Sequence, residues 1–456
     1  MFTRMITFAA LAIFSSSAHA EEPLSRLIDE ARSKSPEVAQ ARAEFEAERA
    51  RIPQASAPAD PTLTLGIQND GFRRIEIGTM ETSFINIMLT QPLFWPGKRG
   101  FREQIAALGA RRAEARLSRA LLDVEGRVRR AWTALLLLRG QTELLEAQQR
   151  LWAQAEQTAR SRYESGQVPQ SDLLRAQLER ARLVQRQWAL EAEFASKVAE
   201  LNRLRARRPD EPWPTAGRLA DLPDPAVLPE AEAQRDAEAR SPELSAARAA
   251  VDESERRVAL ARRERFPDFA ITAAVMPRGS LEPMWQLGVS IGVPIFAARK
   301  QNRAVDESEE RRVGADQGAE AIAQIVRLRA SQRRTVLSAL NRVNQQYRTQ
   351  VLVLSEATAR STLAQYAVGR VPFATVLEAI SGYIADRATF LASLSEAQLV
   401  AIAEREVSLE PVAAMSTPAG DVSMPGTAMS RSSPGTSMTS SAPPPAATQN
   451  RAMNGM

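Results

Sequence analysis

Residues 91–100 read QPLFWPGKRG, and the hydrophobic period changes across them. Before the stretch, Ile85, Ile87 and Leu89 alternate with Asn86, Met88 and Thr90, the period of two that a strand requires. After it, Leu117, Leu121, Val124, Val128, Ala131, Leu135, Leu138, Thr142 and Leu145 step by fours and threes, the seam of a left-handed coiled coil. An unbroken helix from Gly97 to Tyr163 would measure roughly 95–100 Å at ~1.5 Å per residue, longer than a globular domain needs. The Gly-Lys pair is no phosphate loop: no G-x-x-x-x-G precedes Lys98, and Arg99 stands where Ser or Thr would hold magnesium. The stretch reads as a hinge from strand to helix. Pro92, which cannot donate to a ladder, ends the strand; Phe94 and Trp95 fall where interfacial aromatics belong; Pro96-Gly97 turns the chain. Lys98 and Arg99 oppose the dipole at a helix N-terminus, a placement that favours lipid headgroup phosphates as their partners.

The hinge occurs twice. Pro92, Phe94 and Lys98 correspond to Pro294, Phe296 and Lys300. In the same order, Ser35-Pro36-Glu37 recurs as Ser241-Pro242-Glu243, Pro61 as Pro267, and Tyr163, Gly166, Val168, Pro169 and Leu174 as Tyr366, Gly369, Val371, Pro372 and Leu377. The chain is therefore read as a tandem duplication. The first repeat covers 21–208, with a helix, strands at about 61–68 and 83–91, and a long helical hairpin over 97–207. A Pro-rich linker, 209–229, leads to the second repeat, 230–410, with a helix, strands at about 267–275 and 284–293, and a hairpin over 298–408. In that hairpin Val336, Leu340, Val343 and Tyr347 continue the coiled-coil spacing. Gly166 and Gly369 suit left-handed helix caps, with Pro169 and Pro372 where the returning helices start.

Composition narrows the function. Aromatic residues make up 5% of the chain, cysteine is absent and His19 is the single histidine. Thiol and imidazole catalysis, Cys/His zinc sites and disulfides are thereby excluded, and no cofactor is expected. The formal charge of +5 is spread along helices among acidic residues, a solvated face and not a nucleic-acid footprint. Arg4, the apolar run Phe8 to Phe14 and Ala18-His19-Ala20 read as a signal peptide over 1–20, cleaved before Glu21, so the chain is expected to be exported.

The four strands put apolar residues on one face and polar or small ones on the other: Leu63, Leu65 and Ile67 in the first, Trp285, Leu287, Val289, Ile291 and Val293 in the last. That dyad suits a barrel in lipid, but about eight strands are the fewest that close one. Several copies must then share it, a dimer or trimer by closed symmetry.

Signal segment, duplication, strand pairs and G-x-V-P turns together resemble the TolC-type outer-membrane efflux family over about 21–410. QPLFWPGKRG looks like the hinge of its heavy-metal-resistance branch. The resemblance implies a mainly α fold with a small β part. It implies a homotrimer in the outer membrane of a Gram-negative bacterium, with a shared 12-stranded β-barrel in lipid and a helical α-barrel in the periplasm. The partners implied are a periplasmic adaptor and an inner-membrane pump of the resistance-nodulation-division type. No chemistry is implied, only passage of substrate, heavy-metal cations on the branch resemblance. The hinge residues would be Pro92, Trp95, Pro96, Gly97 and Lys98. Gly166-Gln167-Val168-Pro169 and Gly369-Arg370-Val371-Pro372 match the adaptor-docking turns. Glu378 matches an acidic position at the narrow entrance, Thr375 departs from a second, and Tyr366, Arg370 and Asp172 are candidates for the gate.

The tail, 411–456, is rich in Met, Ser and Pro without periodicity and is expected to be disordered. Thioether sulfur is a soft ligand for Cu(I) or Ag(I), which makes Met424, Met429, Met438, Met453 and Met456 candidate metal ligands, against a tail with no such role. Three other readings stay open: a drug or organic-compound duct of the same architecture, a structural periplasmic coiled-coil protein, and a passive porin-like channel.

Overall fold

The computed structural model describes residues 18–212 and 217–411. Most of the expected signal segment, part of the linker and the Met-rich tail lie outside these residues.

Each repeat opens with a helix broken at Ser-Pro-Glu. In the first, α1 (Ala18–Lys34) and α2 (Pro36–Ser56) meet at Ser35; in the second, α5 (Glu230–Arg240) and α6 (Pro242–Arg263) meet at Ser241. Pro at the first helical position costs no hydrogen bond, and Ser241 Oγ accepts the Leu244 N–H at 3.2 Å. Strands β1 (Thr62–Gln68) and β2 (Phe84–Leu93) follow α2, and β3 (Phe269–Arg278) and β4 (Leu281–Ile291) follow α6. They form one antiparallel sheet in the order β1-β2-β3-β4, with β2 against β3 joining the repeats.

The register aligns the two faces across all four strands. Leu63, Leu89, Ala273 and Leu287 stand in one row, Leu65, Ile87, Val275 and Trp285 in the next. The opposite face carries Thr62, Thr90, Thr272 and Gly288, with the Thr90 and Thr272 hydroxyls 3.4 Å apart. The apolar face is open: Leu65, Trp285 and Leu287 are 68%, 78% and 68% exposed. A contiguous exposed patch of this kind marks an interaction with lipid or with another protein. Among the described residues no helix is long and apolar enough to cross a membrane.

Pro92 does not end the ladder: β2 continues to Leu93, with Pro92 opposite Ala270. Pairing with β1 stops at Thr90, so at Pro92 the strand has a neighbour on one side only, where a missing N–H is tolerated.

The long hairpins are α3 (Lys98–Glu164) with α4 (Gln170–Leu204), and α7 (Gln301–Gln346) and α8 (Leu352–Ala367) with α9 (Phe373–Arg405). In α3, Val124, Val128, Ala131, Leu135, Leu138 and Leu145 are buried as the seam requires, while Thr142 is exposed and returns its hydroxyl to Leu138 O. The seam of α7 is displaced by about one residue from the expected one. Arg333, Leu337, Leu340 and Asn344 are buried, and Val336 and Val343 only half-buried. A π-helical turn, Tyr347–Val351, then separates α7 from α8. The described part of the linker packs on the helices. Leu219 is buried, Asn341 Nδ2 donates to Pro225 O at 2.8 Å, and Arg348 forks onto Asp224 at 2.6 and 3.0 Å.

Candidate functional site

At the hinge, Gly97 takes φ +93° as the cap of α3, a conformation that disfavours any side chain. The turn aims Lys98 inward and not toward lipid phosphates: it is 3% exposed, with Nζ 2.8 Å from both Asp268 Oδ1 and Phe266 O. Asp268 also accepts the Trp95 N–H at 2.8 Å, and the Trp95 ring stacks on Phe266 at 5.2 Å. Arg99 donates to Ser56 O at 2.7 Å through Nε, and Arg102 lies over the Phe94 ring at 4.3 Å. The hinge therefore ties the first repeat to the start of the second. Its cations are held by a carboxylate and two carbonyls, which offsets the unfavourable helix dipole.

At the far end both hairpins turn alike. Gly166 (φ +73°) donates to Tyr163 O at 2.9 Å and Gln167 N–H to Arg162 O at 2.8 Å; Gly369 (φ +77°) donates to Tyr366 O at 3.0 Å and Arg370 N–H to Gln365 O at 2.9 Å. These are two Schellman caps, and Pro169 and Pro372 then occupy the N-cap positions of α4 and α9. The turns are exposed except at Val168 and Val371, which are half-buried.

The gate candidates separate into two groups. Arg370, Thr375 and Glu378 are exposed, and among the described residues no side-chain hydrogen bond or ion pair is present for Arg370 or Glu378; Asp172 is half-buried in the first turn of α4. Tyr366 is wholly buried, its ring 5.4 Å from Phe373 in a core with Trp152, Val376 and Ile380. Its hydroxyl has no hydrogen-bond partner among the described residues, and burial, then the charge of Asp172, pushes it above the usual phenol range. In this conformation Tyr366 is a core residue, whereas its counterpart Tyr163 is 41% exposed.

Sequence reasoning missed Arg162. It donates to Tyr366 O at 2.7 Å, lies over the Tyr366 ring at 4.8 Å and ties one hairpin tip to the other. Nothing in the spacing of Arg162 singles it out, because its partner belongs to the other repeat. Glu156, also missed, is buried between hairpin arms, and its bonds from Arg180 first hold its carboxyl below the usual range despite burial. Among the described residues no three His, Cys, Asp or Glu side chains gather as a metal site, and the five candidate methionines lie outside those residues.

Residues 27–206, nearly the whole first repeat, match the family described as outer membrane efflux protein. No curated protein matches the sequence. The fold is that of solved outer-membrane channels. The outer membrane protein VceC of Vibrio cholerae is 17% identical, with 84% of this chain and 95% of that one covered at a TM-score of 0.69. CusC, described in relation to folding and transmembrane channel formation, is 18% identical over 84% and 92% at 0.68. The MtrE outer membrane channel of Neisseria gonorrhoeae, in its open state, is 18% identical over 84% and 88% at 0.64.

Proposed function

We propose that this protein is the outer-membrane duct of a tripartite efflux system. Three copies build one twelve-stranded barrel in lipid, standing on a periplasmic tunnel of long helices. The observation that carries the reading is the apolar face of a four-stranded sheet whose two edges are unpaired among the described residues, fixed by the hinge to hairpins that end in matched exposed turns. A periplasmic coiled-coil protein has no use for that face, and a porin has none for the helices. The exposed tips would receive a periplasmic adaptor, itself bound to a resistance-nodulation-division pump that supplies the energy. Three copies of Glu378 near the axis would draw cations to the entrance by the field of a carboxylate ring.

The cargo we favour is heavy-metal cations. The support is the exposed carboxylate at the tip and the hinge resemblance, and the hinge weighs less because its residues hold sheet to helix. Deletion of the gene, followed by growth on copper, silver, cobalt, zinc, cadmium and a drug panel, tests it. Metal sensitivity is expected; sensitivity to drugs alone moves the cargo to organic compounds. Recovery of the chain as a soluble periplasmic monomer removes the duct reading altogether.

A further inference from the structure

The hinge appears twice in the sequence but is closed once in the chain. Lys98 is buried on Asp268 and on the Phe266 carbonyl. Its counterpart Lys300 is exposed, and among the described residues its ammonium has no hydrogen bond or ion pair. Asp60, on the segment leading into β1, is exposed as well, and its carboxylate is likewise unpaired among the described residues.

The strands carry the same asymmetry. β2 reaches Leu93 because Gln91, Pro92 and Leu93 pair with β3. β4, aligned to β2 through Pro294 and Pro92, stops at Ile291, the counterpart of Leu89, with no strand on its outer edge. Laying β2 on β4 and β3 on β1 transfers the β2–β3 register to the open edges. Ile291 then faces Ile67, Val293 faces Leu65 and Ile295 faces Leu63, all exposed apolar side chains. Within one chain β2 and β3 lie between these edges, so the β1 that meets β4 comes from another copy.

We propose that a second copy of this chain closes the second hinge, its Asp60 receiving Lys300 as Asp268 receives Lys98. The transfer sets Asp60 at the place of Phe266, two residues before that of Asp268, and Pro61 biases Asp60 itself toward extended backbone. Phe266 is also the residue whose carbonyl Lys98 bonds. The acid has moved two residues along the chain and stays within the reach of a lysine. When closed, the clasp is a buried pair at the plane where barrel meets tunnel, and leaving either partner alone there is costly.

This rests on the reading that several copies share one barrel, and the test separates the two. The full chain has no cysteine, so Leu65→Cys with Val293→Cys, treated in outer membranes with a short bis-thiol reagent, should give covalent oligomers that neither single variant gives. An off-register pair, Leu63→Cys with Ile291→Cys, should give few. Lys300→Asp and Asp60→Lys should each lower the temperature at which the oligomer dissociates in detergent, and the double swap should return it to near the parent value. An oligomer that fails to cross-link in this register, or a swap that rescues nothing, overturns the clasp and leaves the shared barrel standing. A monomer by detergent-corrected mass overturns both. If the charge variants do not assemble, the cysteine pair in the unaltered charge background still decides.

Discussion

Gly126 offers the sharpest test of how the hairpins are held together. It lies buried on α3, and a Cβ built there would sit 1.1 Å from Glu406 Oε1, 2.0 Å from Cδ and 2.8 Å from Cγ. Glu406 follows α9, is 5% exposed and takes Arg130 Nη1 at 2.6 Å, while its carbonyl accepts Arg119 Nη1 at 2.9 Å. Burial pushes the Glu406 carboxyl above its usual range, and Arg130 pulls it back. Gly126→Ala must evict this carboxylate. Breaking a buried pair costs about 3–5 kcal/mol. Because Arg130 keeps 43% of its side chain in solvent, the lower end applies here. Replacing Gly by Ala within a helix returns about 1 kcal/mol. The net expectation is a loss of about 2 kcal/mol, read as a lower denaturant midpoint of the far-ultraviolet helix signal at fixed protein concentration. In a Glu406→Ala background the methyl group has room, so Gly126→Ala should there be neutral or stabilising by up to about 1 kcal/mol. Equal cost in both backgrounds, or no cost in the parent, would show that the carboxylate does not fill the space above Gly126.

Three further outcomes follow from the described geometry. Burial raises the Glu30 carboxyl, but bonds from Arg207, Lys34 and Arg205 hold it down at about 2 against an ordinary 4.5, so its contribution is present above pH 4.5 and is lost as pH falls toward 2; Glu30→Gln should flatten the stability profile across that window in an acid titration of the helix signal. Gly166→Ala should cost about 1–2 kcal/mol for its left-handed cap, and Gly369→Ala more, since its Cβ would meet Arg162 Nη2 at 3.1 Å; paired thermal melts give the order. Glu378→Gln should lower the cation preference of single channels in planar bilayers, measured as a reversal potential closer to zero under a salt gradient, while an unchanged potential would remove Glu378 from the entrance.

The periodic parts of this fold were legible because each period is local. Strands and helix ends fall within a few residues of the expected bounds, and both tip turns carry the caps that their glycines imply. What escaped the sequence joins distant segments. Lys98 looked like a lipid-facing cation because its carboxylate, Asp268, belongs to the other repeat. The π-turn at Tyr347–Val351 contains neither Gly nor Pro, so no local breaker announces it. Tyr163 and Tyr366 are indistinguishable in their motifs, yet one is exposed and the other sealed under Arg162. A duplicated sequence writes the same residue twice, but a single chain supplies neighbours for only one of the two copies. The unequal burial of Lys98 and Lys300, like that of the two tyrosines, thus points to where neighbouring chains would stand.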